Sequence, residues 1–340
     1  METKKFTTSP SDLQAAAQLI QQGQVVAFPT ETVYGLGANA LDETAVQKVF
    51  TAKGRPADNP LIITVDQIDQ VADLALISPT ARQLMNQFWP GSLTIILPIQ
   101  TGKVSPLVTG GLDTAAFRLP DNQAARELIR LAGTPIVGPS ANTSGKPSPT
   151  TAAHVWHDME GKIAGIVDDG PTTVGVESTV IDLSVSQPTI LRTGAVTQEE
   201  LSQALNQSVI DATSTRALAD NQTPKAPGMK YRHYAPDKPV VMFDPLDIAE
   251  LKLALKPADV VLALEDDLNI LALPGQQTWS LGLSMMNASE QLFAGLRYFD
   301  DRANVQTIYV ERMPEIGLGR AFNNRLSKAA GNQLFIPKEG

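Results

Sequence analysis

The 340-residue sequence predicts an α/β protein with a large mixed sheet flanked by helices, followed by a smaller Rossmann-like α/β domain. Helix and strand patterns alternate irregularly up to about residue 206 and regularly from about residue 239. Residues 207–238 are rich in Ser, Thr, Asp, Asn, Pro and Lys, which is typical of a linker. We therefore expect domains at residues 1–206 and 239–340, joined by a linker over residues 207–238.

Capping residues and short apolar runs define the elements of the first domain. Helices are predicted from Ser9-Pro10 to Gly23, over 42–52, from Ser78-Pro79 to Trp89, after a cap at Asp121, and over 151–159. Strands are predicted at Val25–Phe28, Leu61–Val65, Leu93–Leu97, Ala115–Leu119, Pro135–Val137, Ile163–Val167, Thr179–Leu183 and Thr189–Leu191. This irregular order indicates a mixed sheet.

In the second domain, strands and helices follow one another in turn. Strands are predicted at Pro239–Phe243, Asp259–Leu264, Thr278–Leu281 and Thr307–Val310, and helices at Leu246–Leu255, Ser289–Arg302 and Leu318–Ala330. This alternation predicts a sheet of Rossmann-like character.

Composition excludes several classes of protein. The chain contains no cysteine, so disulfides, a thiolate nucleophile and Cys-ligated metals are excluded. With 27 basic and 36 acidic residues the net charge is −9, which argues against nucleic-acid binding as the main activity. No apolar run approaches the ~18 residues of a membrane span, and the N-terminus lacks the apolar core of a signal peptide. We expect a soluble, cytoplasmic protein with no membrane partner.

Several familiar catalytic patterns fail. Residues 138–142 resemble a nucleophile elbow, but Asn142 replaces its last glycine. Gly145-Lys146 resembles the end of a P-loop, yet Pro147 replaces the required Ser or Thr. His154 and His157 lie three residues apart on a predicted helix, which fits a solvated helix face better than a zinc site.

Four other segments combine polar residues with glycine or strand ends. They are residues 28–37, the basic turn Lys53-Gly54-Arg55-Pro56, residues 138–145, and the strand-flanking pair 176–180 and 190–194. Each alone fits ordinary capping or a polar turn. Together they offer cations for phosphates and hydroxyls for a small polar ligand, without an evident nucleophile. This set favours phosphoryl or nucleotidyl transfer by electrostatic stabilisation.

These segments also resemble a known family. The ordered motifs PTETVYGLG (29–37), KGRP (53–56), GPSANTSG (138–145), ESTV (177–180) and LRTG (191–194) are similar to those of the YrdC-domain threonylcarbamoyl-AMP synthases. The linker APGMKYRHYAP (226–236) and the closing GLGRA (317–321) and NRL (324–326) resemble the family's long form. The resemblance implies a YrdC-like twisted mixed sheet with flanking helices for the first domain.

The resemblance also implies a reaction. L-threonine, bicarbonate and ATP would give threonylcarbamoyl-AMP and pyrophosphate, with Mg²⁺ on the triphosphate and no metal ligand from protein side chains. A downstream transferase complex would move the threonylcarbamoyl group to the adenosine beside the anticodon, so that tRNA is only an indirect partner.

Site residues follow by matching motifs. The resemblance implies that threonine is held by Thr32, Thr64, Arg118, Gly138 and Ser178. It implies that ATP is held by Arg55, Asn59, Thr114, Ser140, Ser148, Arg192 and Tyr234. Lys53 and Arg55 would face the phosphates as the catalytic pair.

One position departs from the family pattern. Family members often have a histidine in the strand after the basic turn, where this chain reads Leu61–Val65 and Thr64 stands. Threonine donates a hydrogen bond but does not titrate near neutral pH. The mechanism expected here therefore uses no histidine base: a threonine carbamate attacks the α-phosphate, while Lys53, Arg55 and Mg²⁺ stabilise the developing charge.

The linker carries an expectation of its own. Two tyrosines, two basic residues and His233 lie between Pro227 and Pro236, whereas passive tethers are rich in Gly and Ser. We expect Lys230–Tyr234 to fold over the bound nucleotide as a lid that excludes water.

Two other functions remain open at this point. An RNA-binding module of the YrdC type is the first, since Lys225, Lys230, Arg232 and Lys238 form a local basic stretch. The second is a carbamoyltransferase, because YrdC-like domains also occur in hydrogenase-maturation enzymes. Those enzymes need a zinc finger, which a chain without cysteine does not provide.

Overall fold

A computed structural model describes residues 2–55, 59–213, 224–225 and 233–337 of the chain. Within these residues the strands form two sheets. The first contains β1 (Lys4–Phe6), β2 (Val26–Phe28), β3 (Gly35–Asn39), β4 (Ile62–Thr64), β5 (Leu93–Pro98), β6 (Thr114–Arg118), β7 (Ile136–Val137), β8 (Gly165–Val167), β9 (Thr179–Asp182), β10 (Thr189–Arg192) and β11 (Ile210–Asp211). The second contains β12 (Val240–Phe243), β13 (Asp259–Ala263), β14 (Thr278–Ser280) and β15 (Thr307–Glu311).

Helices flank both sheets. In the described residues they are α1 (Pro10–Gln21), α2 (Glu43–Lys53), α3 (Ile68–Ala72), α4 (Pro79–Phe88), α5 (Pro106–Thr109), α6 (Gln123–Ala132), α7 (Ala152–Met159), α8 (Gln198–Leu205), α9 (Ile248–Ala254), α10 (Glu265–Leu271), α11 (Met285–Asp300) and α12 (Leu318–Ala330). Short 3₁₀ turns occur at Pro245–Asp247 and Gly275–Gln277.

The first sheet is mixed, as the sequence predicts. Its order is β1-β8-β2-β3-β7-β4-β6-β5-β9-β10-β11, with both parallel and antiparallel neighbours. The second sheet has the order β12-β15-β13-β14, and all its pairs are parallel. The predicted α/β class is therefore confirmed, including the Rossmann-like character of the smaller sheet.

Capping residues explain where several helices begin. The side chains of Ser9, Asp42 and Ser78 each accept a backbone N–H of the first turn, at the residues where the sequence predicts these helices to begin. The prediction of Asp121 as the cap of α6 is wrong. Asn122 caps that helix, because its Oδ1 accepts the N–H of Ala125 at 2.8 Å.

Other short elements were not predicted. β3 comprises Gly35–Asn39, a segment whose glycines favour a loop when the sequence is considered alone. It forms a strand because it pairs with β2. β1, α3, α5, α8 and α10 were also missed. β11 lies inside the stretch expected to be a linker, where Ile210 pairs with Thr189.

The two sheets are joined by buried contacts. On α11, the Arg297 guanidinium donates to the Asp158 carboxylate of α7 at 2.9 Å and 3.0 Å, and also to the Pro147 carbonyl. Burial alone would raise the pKa of Asp158, but the hydrogen bonds and charge of Arg297 lower it to about 2. Val33 of the first part packs in one apolar cluster with Phe293 of α11.

The described helices include none with the length and apolarity needed to cross a membrane.

The Arg297–Asp158 bridge predicts a stability change. Arg297→Met leaves a buried carboxylate without its cation, so the free energy of unfolding should fall by about 3–5 kcal/mol, measured by urea denaturation at pH 7. The pKa of Asp158 is lower in the folded chain than its ordinary 3.8, so the bridge stabilises the chain above that pH and loses this effect toward pH 2. The difference between the two proteins should therefore shrink on acidification. Equal urea midpoints at pH 7 would contradict the assignment.

Candidate active site

A cavity lies over one face of the first sheet, where the loop 138–148 meets His233 and Tyr234. Its wall includes the predicted residues Lys53, Arg55, Arg118, Gly138, Ser140, Ser148, Arg192 and Tyr234. Ala235 donates its N–H to the Gly145 carbonyl at 2.9 Å, which fixes the segment against the loop. Ile62 lines the cavity and belongs to a small apolar cluster on this face of the sheet.

Arg118 marks one end of the cavity. Its Nη1 donates to Thr32 Oγ1 at 2.7 Å, and its Nη2 forms a 2.6 Å ion pair with Glu31. Thr64 is the register partner of Arg118 in the neighbouring strand. A guanidinium carries five N–H donors, and the contacts with described residues use three of them. Two donors remain for a ligand carboxylate at this end.

Gly138 is held close to Thr64. Its N–H donates to the Ile62 carbonyl at 2.8 Å. A Cβ at this position would lie 2.4 Å from Thr64 Oγ1 and 3.3 Å from Phe28 Cζ. Only glycine therefore fits here without moving the Thr64 side chain.

Ser178 lies just before β9, beneath the cavity. Arg192 holds it by donating Nε to the Ser178 carbonyl at 2.9 Å and Nη2 to Ser178 Oγ at 3.0 Å. The Ser178 hydroxyl also lies 2.7 Å from Thr94 Oγ1. Burial lowers the pKa of Arg192 to about 10, so the guanidinium remains charged at neutral pH.

The basic turn occupies the opposite wall. Lys53 Nζ donates to the carbonyls of Ser140 and Asn142, the latter at 2.9 Å. Burial, together with the nearby charge of Arg55, holds the pKa of Lys53 well below its usual 10.5. Arg55 donates Nη2 to the carbonyls of Asn59 and Pro60, both at 3.3 Å. Lys53 thus ties α2 to the loop 138–145, and Arg55 faces the cavity beside it.

Two buried polar atoms point to a ligand near the basic turn. Asn59 Oδ1 and Thr114 Oγ1 have no hydrogen-bond partner among the described residues, although the side chains are almost fully buried. Buried polar groups in folded proteins are normally paired. The register that pairs Ile62 with Ala116 places both residues at the same end of their strands.

One strand carries a residue predicted for each substrate. Thr114 and Arg118 are four residues apart on β6, so they face the same side of the sheet about 13 Å from each other. Thr114 lies at the end of the strand nearer the basic turn, and Arg118 pairs with Thr64 at the other end. The site therefore has two separated ends.

A buried carboxylate lies between these groups and the C-terminal part. Glu177 accepts the Ser148 hydroxyl on Oε1 and Arg325 Nε on Oε2, the latter at 2.9 Å. Burial would raise the pKa of Glu177, but the charges of Arg325 and Arg192 hold it below its usual 4.5. Glu177 is therefore ionised, and Arg325 in α12 neutralises it.

His233 and Tyr234 close the cavity from the C-terminal side. Tyr234 stacks on Phe293 with ring centroids 5.4 Å apart, and its backbone φ of 64° is in the left-handed region. Burial raises the pKa of Tyr234 to about 12. Burial and the charge of Arg55 lower the pKa of His233 to about 3, so its imidazole is neutral at pH 7. Lys230, Tyr231 and Arg232 of the expected lid lie outside the described residues.

The structure brings the predicted residues to one face of the sheet. However, some of them do not line the cavity, and three further charged residues at the site were given no role in the sequence analysis. Thr32, Thr64, Asn59 and Ser178 do not line the cavity themselves, but each contacts or is in register with Arg118, Arg55 or Arg192, which do. Thr114 does not line it either, and begins the strand that carries Arg118. Sequence reasoning gave no role to Glu31, Glu177 or Arg325. Glu177 stands inside the ESTV motif and Arg325 inside the NRL motif, so both were within segments already singled out.

The surroundings of His154 and of Lys225 differ from those predicted. His154 is not a solvated residue: it is half-buried, and burial lowers its pKa to about 4, whereas His157 is exposed. Lys225, one of four cations in the basic stretch, is paired with Asp182 at 3.1 Å. In the described part of the chain, no group of three or more His, Asp or Glu side chains is placed to hold a metal ion.

Comparison with known proteins identifies related chains. A Sua5/YciO/YrdC family model described as telomere recombination matches residues 18–194, and a model described as threonylcarbamoyl-AMP synthase, C-terminal domain, matches residues 196–331. The Bacillus subtilis threonylcarbamoyl-AMP synthase is 43% identical over 340 residues, covering 98% of this chain and 97% of that one. The Pyrococcus abyssi enzyme of the same name is 44% identical over 331 residues, covering 95% of each chain.

Solved structures agree with these relatives. Pyrococcus abyssi Sua5 complexed with L-threonine is similar with a TM-score of 0.89 and 41% identity, covering 98% of this chain and 99% of that one. Escherichia coli YciO shares the fold of the first part, with a TM-score of 0.51, 20% identity and coverage of 56% of this chain and 96% of that one. The chain therefore belongs to the threonylcarbamoyl-AMP synthase family, in the long form that carries a C-terminal domain.

Proposed function

We propose that the chain converts L-threonine, bicarbonate and ATP into threonylcarbamoyl-AMP and pyrophosphate, with the residues of this cavity in the roles the motifs imply. The observation that carries the proposal is the arrangement of one cavity with two chemically different ends. One end presents the Arg118 guanidinium, and the other presents a basic turn beside orphaned Asn59 and Thr114 atoms.

The Arg118 end suits an amino acid. A guanidinium fork matches a carboxylate, and Arg118 is held in place by Thr32 and Glu31. We place the threonine carboxylate on Arg118, with its hydroxyl and amine near Thr32, Thr64, Ser178 and the backbone at Gly138. The similar Pyrococcus abyssi protein has been crystallised with L-threonine, which supports threonine as a ligand of this chain.

The opposite end suits a nucleotide. Arg55 and Lys53 supply positive charge beside the loop 138–145, and Arg192 adds a third cation nearby. We place the triphosphate against these groups and Ser140. Asn59 and Thr114 then bind the rest of the nucleotide with Ser148 and Tyr234, which gives partners to the two orphaned atoms.

The chemistry then needs no nucleophile from the protein. The threonine amine takes up bicarbonate and releases water, which gives a carbamate. A carbamate oxygen attacks the α-phosphorus in line, the bond to the β-phosphate oxygen breaks, and pyrophosphate leaves. The protein aligns the two substrates and stabilises the added negative charge through Arg55 and Lys53. Thr64 assists only by hydrogen bonding.

Magnesium enters this scheme with the substrate. Glu177 lines the cavity but is committed to Arg325 and Ser148, so it does not supply a metal ligand. Mg²⁺ binds phosphate oxygens and retains several waters, so the triphosphate itself provides its ligands. We therefore propose Mg·ATP as the nucleotide substrate.

The remaining partners are proposed from the family relationship. The product is a mixed anhydride, so a downstream threonylcarbamoyl transferase complex must accept the group and pass it to tRNA. A cytoplasmic location remains a prediction. The RNA-binding alternative gains no support from Lys225, because its ammonium is paired with Asp182.

One experiment tests the proposed reaction. The purified full chain is incubated with Mg·ATP, and pyrophosphate release is followed with threonine, bicarbonate or both omitted. We expect release that requires both co-substrates, with AMP-containing product appearing in equal amount. Release that is independent of threonine would contradict the proposal.

Arg55→Ala is the sharpest test of the basic turn. Because Arg55 faces the cavity as a preorganised cation, its loss should lower the rate of adenylate formation by about 10²–10³-fold. The thermal unfolding midpoint serves as the folding control, since Arg55 is not part of an apolar core. Near-normal turnover in a folded variant would remove Arg55 from the proposed catalytic pair.

Serine should be a slow substrate. The site must recognise the extra methyl group of threonine, and an apolar contact of this size is worth about 1–3 kcal/mol, or roughly 10–200-fold in kcat/KM. Steady-state pyrophosphate release with each amino acid gives this ratio. Equal kcat/KM values would show that the site does not recognise the methyl group.

Gly138→Ala should impair threonine use specifically. The added Cβ would meet Thr64 Oγ1 at 2.4 Å, and such overpacking costs about 1–3 kcal/mol, so the KM for threonine should rise about tenfold. The double variant Gly138→Ala/Thr64→Ala removes the clash and should recover part of the loss. If it recovers nothing, contact with Thr64 is not the cause.

A further inference from the structure

We propose that Arg325, in the C-terminal part of the chain, is a positioning residue for nucleotide binding that acts through Glu177. The inference rests on the proposed function, because it assigns Arg325 to the nucleotide end of that same site. Sequence motifs placed every substrate-binding residue before position 235, so a contribution from α12 extends the site to the far end of the chain.

The contacts give Arg325 a defined route to the site. Its side chain is fully buried, Nε binds Glu177 Oε2 at 2.9 Å, and Nη2 lies 3.3 Å from the Glu177 carbonyl. Glu177 lines the cavity and accepts the hydroxyl of Ser148 on its other oxygen. Arg325 thereby fixes the carboxylate that holds Ser148, a residue proposed for ATP.

Charge explains why this position matters for a nucleotide. ATP is strongly anionic, and a buried carboxylate in the cavity wall would repel it unless a cation neutralises that carboxylate. Arg325 is the ion-pair partner of Glu177 in the described structure. Glu177 also interacts electrostatically with Arg192, Lys328, Lys53, His233 and Tyr234.

The same helix provides a matched control. Arg320 also lies on α12 and also reaches the first part of the chain, through a 2.7 Å ion pair with Glu199. Both side chains of that pair are partly exposed, and neither lines the cavity. Removing Arg320 therefore tests the docking of α12 without touching Glu177.

The experiment compares four variants of the full chain: Arg325→Met, Arg325→Lys, Arg325→Met/Glu177→Gln and Arg320→Met. Affinity for a non-hydrolysable ATP analogue with Mg²⁺ is measured by calorimetry, and the KM values for ATP and threonine by pyrophosphate release. Arg325→Met should weaken nucleotide binding about 10–100-fold, while the KM for threonine changes by less than about threefold.

Rescue separates charge compensation from packing. Arg325→Lys keeps a cation but loses the fork, and the double variant removes both buried charges, so each should bind the analogue more tightly than Arg325→Met. Arg320→Met should remain within about twofold of the unaltered chain. The proposal is overturned if Arg325→Met keeps normal nucleotide affinity, if neither rescue occurs, or if Arg320→Met causes an equal loss.

The test still gives a result if one variant does not fold or if the unaltered chain lacks the proposed activity. If Arg325→Met does not fold, Arg325→Lys and the double variant still test the proposal. Arg325→Lys tests the fork, and the double variant leaves no buried charge uncompensated. Each should bind the analogue measurably, but more weakly than the unaltered chain does. Normal affinity in both would overturn the proposal. If the unaltered chain shows no threonine- and bicarbonate-dependent pyrophosphate release, the proposed function fails, while analogue binding still reports on Arg325.

Discussion

A buried ion pair between Glu177 and Arg325 joins the two parts of the chain at the wall of the cavity. Without the Arg325 guanidinium, Glu177 would be a buried carboxylate that has lost its ion-pair partner, beside the place proposed for a triphosphate, which is a costly arrangement. With Arg325 in place, the same carboxylate orients the Ser148 hydroxyl. The C-terminal part therefore contributes directly to the site, because Arg325 of its last helix, α12, neutralises Glu177.

The chain as a whole is acidic, but cations are concentrated at the cavity. The chain carries a net charge of −9, yet Lys53, Arg55, Arg118 and Arg192 line a single cavity. Each is held by backbone carbonyls, hydroxyls or a carboxylate, so their positions are set before a ligand arrives. Preorganised charge of this kind is what transfer at phosphorus requires when the protein supplies no nucleophile.

Local signals in the sequence predicted much of the fold and singled out segments that line the cavity. Ser9, Asp42 and Ser78 begin helices because capping depends on neighbouring residues only. β3 was missed because its strand character depends on pairing with β2. The partnership of Glu177 with Arg325 spans 148 residues, and nothing local in either motif specifies it. Motif resemblance identified the two segments, but only tertiary packing shows that they meet.

In the proposed function, one cavity holds both substrates at opposite ends of β6. The most direct measurement is a crystal structure of the full chain with L-threonine and a non-hydrolysable Mg·ATP analogue. We expect the threonine carboxylate on Arg118, the triphosphate on Arg55 and the turn at Lys53, and the amine within a few ångströms of the α-phosphorus. A nucleotide bound outside this cavity, or threonine bound away from Arg118, would contradict it.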